Sequence, residues 1–105
     1  MNPKQPSLKS PKLRAFPNGQ ACVNCGRADG SVVLCHWNQP GAFGMGYKTS
    51  DWWGAHLCGV PSPLHPHGCH GWADSAEGRK SAVWWSIMIY RTQRRLFDAG
   101  ALVVA

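Results

Sequence analysis

The longest regular pattern of apolar positions lies in the C-terminal third of the chain. Residues 82–99 contain neither glycine nor proline, Ser81 precedes them as a typical N-cap residue, and Gly100 follows them. The apolar side chains at helical spacing are Val83, Ile87, Tyr90 and Phe97, with Trp84 and Met88 beside them. This pattern predicts an amphipathic helix over 82–99, with Trp84 and Trp85 packing in the core.

Shorter elements are expected before this helix. The β-branched and apolar run from Ser31 to His36 predicts a strand, and a weaker second strand is indicated around 52–57, where Gly54 interrupts the pattern. A short helix is expected over 69–77, ended by Gly78. The remaining segments are expected as a glycine-rich loop over 41–46, an irregular excursion over 59–68, and an apolar end over 101–105 that forms an edge strand or packs on the helix.

The first twenty residues differ in composition from the rest. They contain four prolines among lysine, serine and glutamine side chains, and such a composition does not build a hydrophobic core. We therefore predict a disordered basic tail over 1–20 and one folded domain over 21–105.

Charge and cysteine usage narrow the class of protein. The chain of 105 residues has a formal net charge of +6 and its basic residues are concentrated toward both ends, which favours a polyanionic partner such as DNA. No apolar run is long enough for a membrane span, and residues 1–17 lack the apolar stretch of a signal peptide. We expect a cytoplasmic protein without membrane contact, in which closely spaced cysteines bind metal rather than form disulfides.

Four of the five cysteines form two pairs, which predict a structural zinc site. Cys22 and Cys25 are separated by two residues and followed by glycine, as in a zinc knuckle. Cys58 and Cys69 are separated by ten residues, so we interpret residues 59–68 as an insertion that loops out between two ligands. The alternatives are a site in which His56, His65 or His67 replaces one cysteine, and no metal at all.

The order of these residues resembles a nuclease family. The residues that carry the resemblance are Cys25, the run Val33–His36, the run Gly44–Lys48, Asp51, Cys58, Cys69 with His70, Asp74, and the run Arg91–Gln93. Over most of residues 22–105, the chain is similar to the HNH endonucleases, also called ββα-metal or His-Me finger nucleases. More narrowly, it resembles the small YbcO-type proteins encoded by phages and prophages.

The resemblance implies a fold and a mechanism. The fold would be a small α+β domain with a zinc-stapled ββα-metal core and an added C-terminal helix. The activity would be metal-dependent hydrolysis of phosphodiester bonds in DNA by a phage-encoded enzyme in the bacterial cytoplasm. His36 would be the general base, and His70 would bind a catalytic divalent ion, Mg²⁺ or a transition metal. Asp51 would orient the base histidine or ligate the metal.

The chain departs from the family pattern at Cys35, where many HNH enzymes have an acidic or histidine metal ligand. As a small apolar residue in a strand, Cys35 is expected to be buried. The catalytic ion would then need help from Asp51, Asp74 or a histidine of the insertion. His65 and His67 could be such ligands or phosphate contacts, but the simpler interpretation is that they are surface histidines.

Several residues are candidates for contact with nucleic acid. They are Lys48, Arg91, Arg94 and Arg95 for phosphate groups, and Trp37 and Trp72 for stacking on an unpaired base. Two other hypotheses remain open at this point. The chain could be a zinc-stabilised module that binds nucleic acid without cleaving it, or a phage protein that binds a host protein.

Overall fold

The computed structural model describes residues 10–37, 51, 53–60 and 66–101. These residues form a small α+β architecture with a two-stranded antiparallel sheet and four helices. In chain order the elements are α1 (Pro11–Ala15), β1 (Val33–His36), β2 (Gly54–Leu57), α2 (Gly68–Ala73), α3 (Ala76–Arg79) and α4 (Ala82–Asp98). Within the described ranges, no helix is long and apolar enough to cross a membrane. The loop expected over 41–46 and residues 102–105 of the apolar end lie outside the described residues.

The two strands pair in a register that divides their side chains between two faces. Leu34 lies opposite His56 and His36 lies opposite Gly54, so these side chains share one face, while Cys35 is on the other. A side chain at position 54 is excluded, because a Cβ there would come within 2.6 Å of the Cys35 carbonyl oxygen. The glycine that weakened the prediction of β2 is therefore what lets this strand pair closely with β1.

The outer edge of β2 is covered by two other parts of the chain. The Val23 amide donates to the His56 carbonyl oxygen at 3.0 Å, and the His56 amide donates to the Thr92 hydroxyl of α4 at 3.0 Å. All four residues of β2 are buried. The short sheet is thus enclosed by the cysteine knuckle on one side and the long helix on the other, which satisfies backbone groups that an open edge would leave exposed.

The long helix has the predicted position but buries a different side. Ser81 and Gly100 flank α4 as expected, and Gly100 adopts a positive φ of 73° at the C-terminal end. The buried residues of α4 are Trp85, Met88, Ile89, Thr92 and Leu96. The apolar stripe Val83, Ile87, Tyr90 and Phe97 is exposed instead. Both sides of the helix carry apolar residues, and the contact with β2 and the knuckle determines which side is buried.

Residues 10–20 differ from the expectation of a disordered tail. Pro11–Ala15 form α1, and the Ser10 hydroxyl caps this helix by accepting from the Leu13 amide at 3.2 Å. Leu13 and Pro17 are buried, and the Phe16 ring stacks on His56 with centroids 6.0 Å apart. The burial of Leu13 and Pro17 and the contact of Phe16 with β2 attach this segment to the folded part of the chain. Residues 1–9 lie outside the described part of the chain.

The short helix expected over 69–77 is divided in two. Asp74 ends α2, and the Ser75 hydroxyl caps α3 by accepting from the Gly78 amide at 3.0 Å. Gly78 does not end the helix but lies inside α3, where a Cβ would collide with the Trp72 carbonyl oxygen. This close approach between two turns of chain requires the glycine.

Candidate functional site

Four cysteines from three segments meet at one point. The sulfur atoms of Cys22, Cys25, Cys58 and Cys69 all lie within 4.8 Å of one another. The knuckle turns at Gly26, whose φ is 82° and whose amide donates to the Cys22 carbonyl oxygen at 2.9 Å. The predicted convergence of two cysteine pairs is confirmed.

Backbone contacts bring the widely spaced second pair together. The His70 amide donates to the Cys58 carbonyl oxygen at 3.0 Å, which joins the start of α2 to the end of β2. Gly68 has a φ of 79°, and a Cβ there would lie 2.8 Å from the backbone of Gly59. The first and last of the ten residues between the two cysteines, Gly59 and Gly68, are therefore in close contact, as expected for an insertion.

The cluster is compatible with a tetrahedral metal ion such as Zn²⁺. Zinc–sulfur bonds of about 2.3 Å in a tetrahedron place sulfur atoms about 3.8 Å apart, and the Cys25 and Cys58 sulfur atoms are 3.6 Å apart. All four thiols are free of disulfides. Burial, together with the neighbouring Cys58 and Cys22 sulfurs, raises the pKa of Cys69 despite the hydrogen bond from Asn24. A bound cation would therefore be needed to hold four thiolates this close together.

A hydrogen-bonded chain connects the cluster to α4. The Asn24 side-chain N–H donates to the Cys69 sulfur at 3.3 Å. The Oδ1 atom of the same side chain accepts from the Trp84 indole N–H at 3.3 Å. Sequence reasoning missed Asn24, although a polar residue between two knuckle cysteines is a signal that could have found it. Such outer contacts orient ligands and tune metal affinity.

The alternative ligands among the described histidines lie elsewhere. The His56 Nδ1 atom is 3.1 Å from the Arg95 guanidinium, and burial together with that charge lowers the pKa of His56 to about 4. His67 is exposed at the start of α2, and His65 lies outside the described residues. Cys35 is buried as predicted and is not part of the cluster.

His36 and Asp51 are brought together at the end of β1. The His36 Nε2 atom lies 2.8 Å from the Asp51 Oδ1 atom, and the Asp51 side chain is only 1% exposed whereas that of His36 is 25% exposed. The other carboxylate oxygen accepts from the Ser10 amide at 2.6 Å and from the Arg14 Nε at 2.9 Å. Burial alone would raise the pKa of Asp51, but these hydrogen bonds and the Arg14 charge outweigh it and lower the pKa below the usual range. Asp51 is therefore an ionised acceptor that holds the imidazole by one nitrogen.

His70 is part of a second pair on α2. Its Nε2 atom lies 2.9 Å from the Asp74 Oδ2 atom, one helical turn away, and both side chains are partly exposed. No hydrogen bond joins this pair to His36 or Asp51, all four of which are described. The Asp74 charge contributes to the raised pKa of Cys35, which burial dominates. Within the ranges the structure describes, the four cysteines are the one group of three or more metal-binding side chains.

The arginines selected for nucleic-acid contact have partners within the protein. Arg91 donates to the Val23 carbonyl oxygen at 2.8 Å, and Arg95 faces His56. Arg94 is largely exposed and pairs with Asp98 at 3.4 Å. Lys48 lies outside the described residues. Arg91 and Arg94 are exposed, whereas Arg95 is half-buried.

The two tryptophans beside the site histidines belong to an aromatic cluster. The Trp37 ring is buried, stacks on Trp85 at 5.9 Å and donates its N–H to the Arg79 carbonyl oxygen at 3.0 Å. The half-buried Trp72 ring meets Trp84 edge-on at 4.8 Å. Trp37 therefore contributes to the core.

Comparisons with protein-family models, with curated proteins and with solved structures found no match to this chain.

Proposed function

We propose that the chain is a metal-dependent endonuclease of the HNH type that hydrolyses phosphodiester bonds in DNA. The observation that carries this proposal is the pair formed by His36 and the buried carboxylate of Asp51, 2.8 Å apart at the end of a β-hairpin. The order of a hairpin followed by a helix that carries His70 agrees with the resemblance to HNH nucleases. That resemblance also supports a role in processing DNA during phage infection, in the cytoplasm of the bacterial host.

His36 is suited to act as a general base. An ionised Asp51 accepts the proton on Nε2, which leaves Nδ1 as the nitrogen that takes a proton from water. The imidazole is one-quarter exposed, so water and a phosphodiester can reach it. Asp51 then stabilises the imidazolium that forms, and a positioned base of this kind contributes about 10²–10⁴-fold to the rate.

His70 and Asp74 would hold the catalytic divalent ion. They offer one imidazole nitrogen and one carboxylate oxygen 2.9 Å apart, a donor set that suits Mn²⁺ or Ni²⁺ as well as Mg²⁺. With two protein ligands, coordination positions remain open for water and a phosphate oxygen. The ion would supply stabilisation of negative charge on the phosphoryl and leaving oxygens.

The four-cysteine cluster would hold a structural Zn²⁺ ion. Four sulfur ligands leave no open position for a substrate, so this ion would have no part in the reaction. It would join the segment 22–26, the end of β2 and the start of α2, and so fix α2, which carries His70, relative to the sheet that carries His36. A small domain gains stability from such a cross-link.

A nicking assay on supercoiled plasmid tests the proposed function. The zinc-loaded protein is incubated with Mg²⁺, Mn²⁺ or Ni²⁺, and His36→Ala is compared with His67→Ala as a matched control. We expect metal-dependent nicking by the wild type and by His67→Ala, and a loss of about 10²-fold or more in His36→Ala. Nicking at the wild-type rate by His36→Ala would contradict the proposal.

A second candidate function is a zinc-stabilised module that binds DNA without cleaving it. It is favoured by the observation that the cysteine cluster is the one multi-residue metal group among the described side chains. Salt-dependent DNA binding, combined with no nicking by the wild type in any of the three metals, would support this candidate over the nuclease.

A further inference from the structure

The segment 10–17 crosses the sheet face that carries His36. Leu13 and Pro17 are buried, and Phe16 stacks on His56 of β2. Three groups among the described residues donate to Asp51, and this segment supplies two of them, the Ser10 amide and the Arg14 guanidinium. The third donor is His36 itself.

We propose that Arg14 is a positioning residue for the general base, acting through Asp51. This inference rests on the proposed function of His36 and extends it to a part of the chain with no catalytic motif of its own. Arg14 binds one carboxylate oxygen and His36 binds the other. The carboxylate is therefore clamped between the two side chains, and its plane fixes the direction of the imidazole.

The charges around the pair indicate what the clamp does. On this face, Arg14 comes from α1, Asp51 precedes β2, and His56 of β2 has Arg95 of α4 beside it. A buried carboxylate with one cationic partner removed would exert a stronger field on His36 and would be held by fewer bonds. Arg14 thus restrains the carboxylate in the position from which it accepts from His36.

A second arginine–aspartate pair in the molecule serves as a comparison for the Arg14–Asp51 contact. Arg27 also pairs with an aspartate, Asp29, but that pair lies 3.5 Å apart and both side chains are about one-third exposed. The Asp51 carboxylate is buried, although the Arg14 side chain is itself 55% exposed. Replacement of either arginine by glutamine removes the same charge, and only one replacement affects the histidine pair.

The test compares the zinc-loaded full chain with Arg14→Gln, Arg14→Lys and the control Arg27→Gln. In the nicking assay, we expect Arg14→Gln to lower kcat about tenfold or more with little change in KM. Arg14→Lys should restore part of the loss, and Arg27→Gln should behave as the wild type. Wild-type kcat in Arg14→Gln would overturn the inference.

A measurement without DNA separates this inference from the nuclease proposal. Nitrogen-15 NMR of labelled histidine follows the tautomer of His36 in each folded variant. We expect an Nε2–H tautomer in the wild type and a mixed tautomer in Arg14→Gln. An identical tautomer in the two proteins would overturn the positioning role, even if the wild type cleaves DNA. A changed tautomer in Arg14→Gln, together with no cleavage by the wild type, would support the positioning role while refuting the nuclease. If Arg14→Gln fails to fold, Arg14→Lys decides by kcat and tautomer.

Discussion

The cysteine cluster and the His36–Asp51 pair are two polar centres on one small sheet, and they are built in different ways. The cluster uses four copies of one residue type, and their sulfur atoms converge within 4.8 Å. The histidine pair depends on one buried carboxylate, held by groups 37 and 41 positions away in the chain. Residue type alone thus specifies much of the cysteine cluster. The His36–Asp51 pair instead depends on the fold, which places donors from a distant segment beside the carboxylate.

The difference extends to what each centre contributes. A four-sulfur metal site adds folding free energy, because the ligands converge only in the folded chain. A buried carboxylate costs free energy unless donors compensate it, and Asp51 accepts three hydrogen bonds from the residues that the structure describes. We therefore expect damage to the cluster to abolish the fold and damage to the pair to reduce activity with a smaller effect on stability.

The largest effect is expected from Cys22→Ser. Loss of one sulfur ligand should release the metal and unfold the domain, since zinc binding contributes about 10–16 kcal/mol in small zinc-dependent peptides. Metal content by elemental analysis and thermal unfolding by circular dichroism measure the two consequences. The matched control is Cys35→Ala, at a buried cysteine outside the cluster, which should keep one zinc per chain. Unchanged melting of Cys22→Ser would show that the cluster does not support the fold.

The next effect is expected from Asp51→Asn. The amide keeps the shape of the carboxylate but has no charge, so it no longer stabilises the protonated His36 and offers Arg14 a weaker acceptor. We expect kcat in the nicking assay to fall by about 10²–10⁴-fold, with retained zinc and a cooperative melt. Asp98→Asn, at the exposed aspartate of α4, serves as the control. Cleavage at the wild-type rate by Asp51→Asn would contradict the role of this carboxylate in supporting His36.

The smallest effect is expected from Asn24→Ala. This variant removes the side-chain amide that bonds the Cys69 sulfur, together with its link to Trp84. Loss of an outer contact of this kind weakens metal affinity by about 10–100-fold. Competition with a chromophoric chelator measures the affinity, and the fold should persist at saturating zinc. Equal affinities in the variant and the wild type would indicate that the cluster is organised by its four ligands alone.

The sequence predicted the features that depend on local signals. The bounds of α4 followed from its flanking Ser81 and Gly100, β1 followed from a β-branched run, and the cysteine pairs indicated where three segments meet. In each case the chemistry of adjacent residues limits the possible structures to a few. The pairing of His36 with Asp51 was expected from a resemblance rather than from the residues themselves.

The features that the sequence did not predict depend on distant contacts. Residues 10–20 have the composition of a tail, yet Leu13 and Pro17 are buried and Phe16 stacks on His56 of β2. The apolar stripe of α4 is exposed because the opposite side meets β2. Arg95 was expected to contact nucleic acid, but its neighbour is a buried histidine. These outcomes follow from the tertiary arrangement, which periodicity and composition do not encode.

The most direct test is one preparation of His36→Ala, measured for zinc content and for metal-dependent nicking beside the wild type. We expect the variant to keep one zinc per chain and to lose nicking, because the two centres are separate. Nicking that persists in the variant would contradict the role of His36, and loss of zinc from the variant would contradict the separation of the two centres.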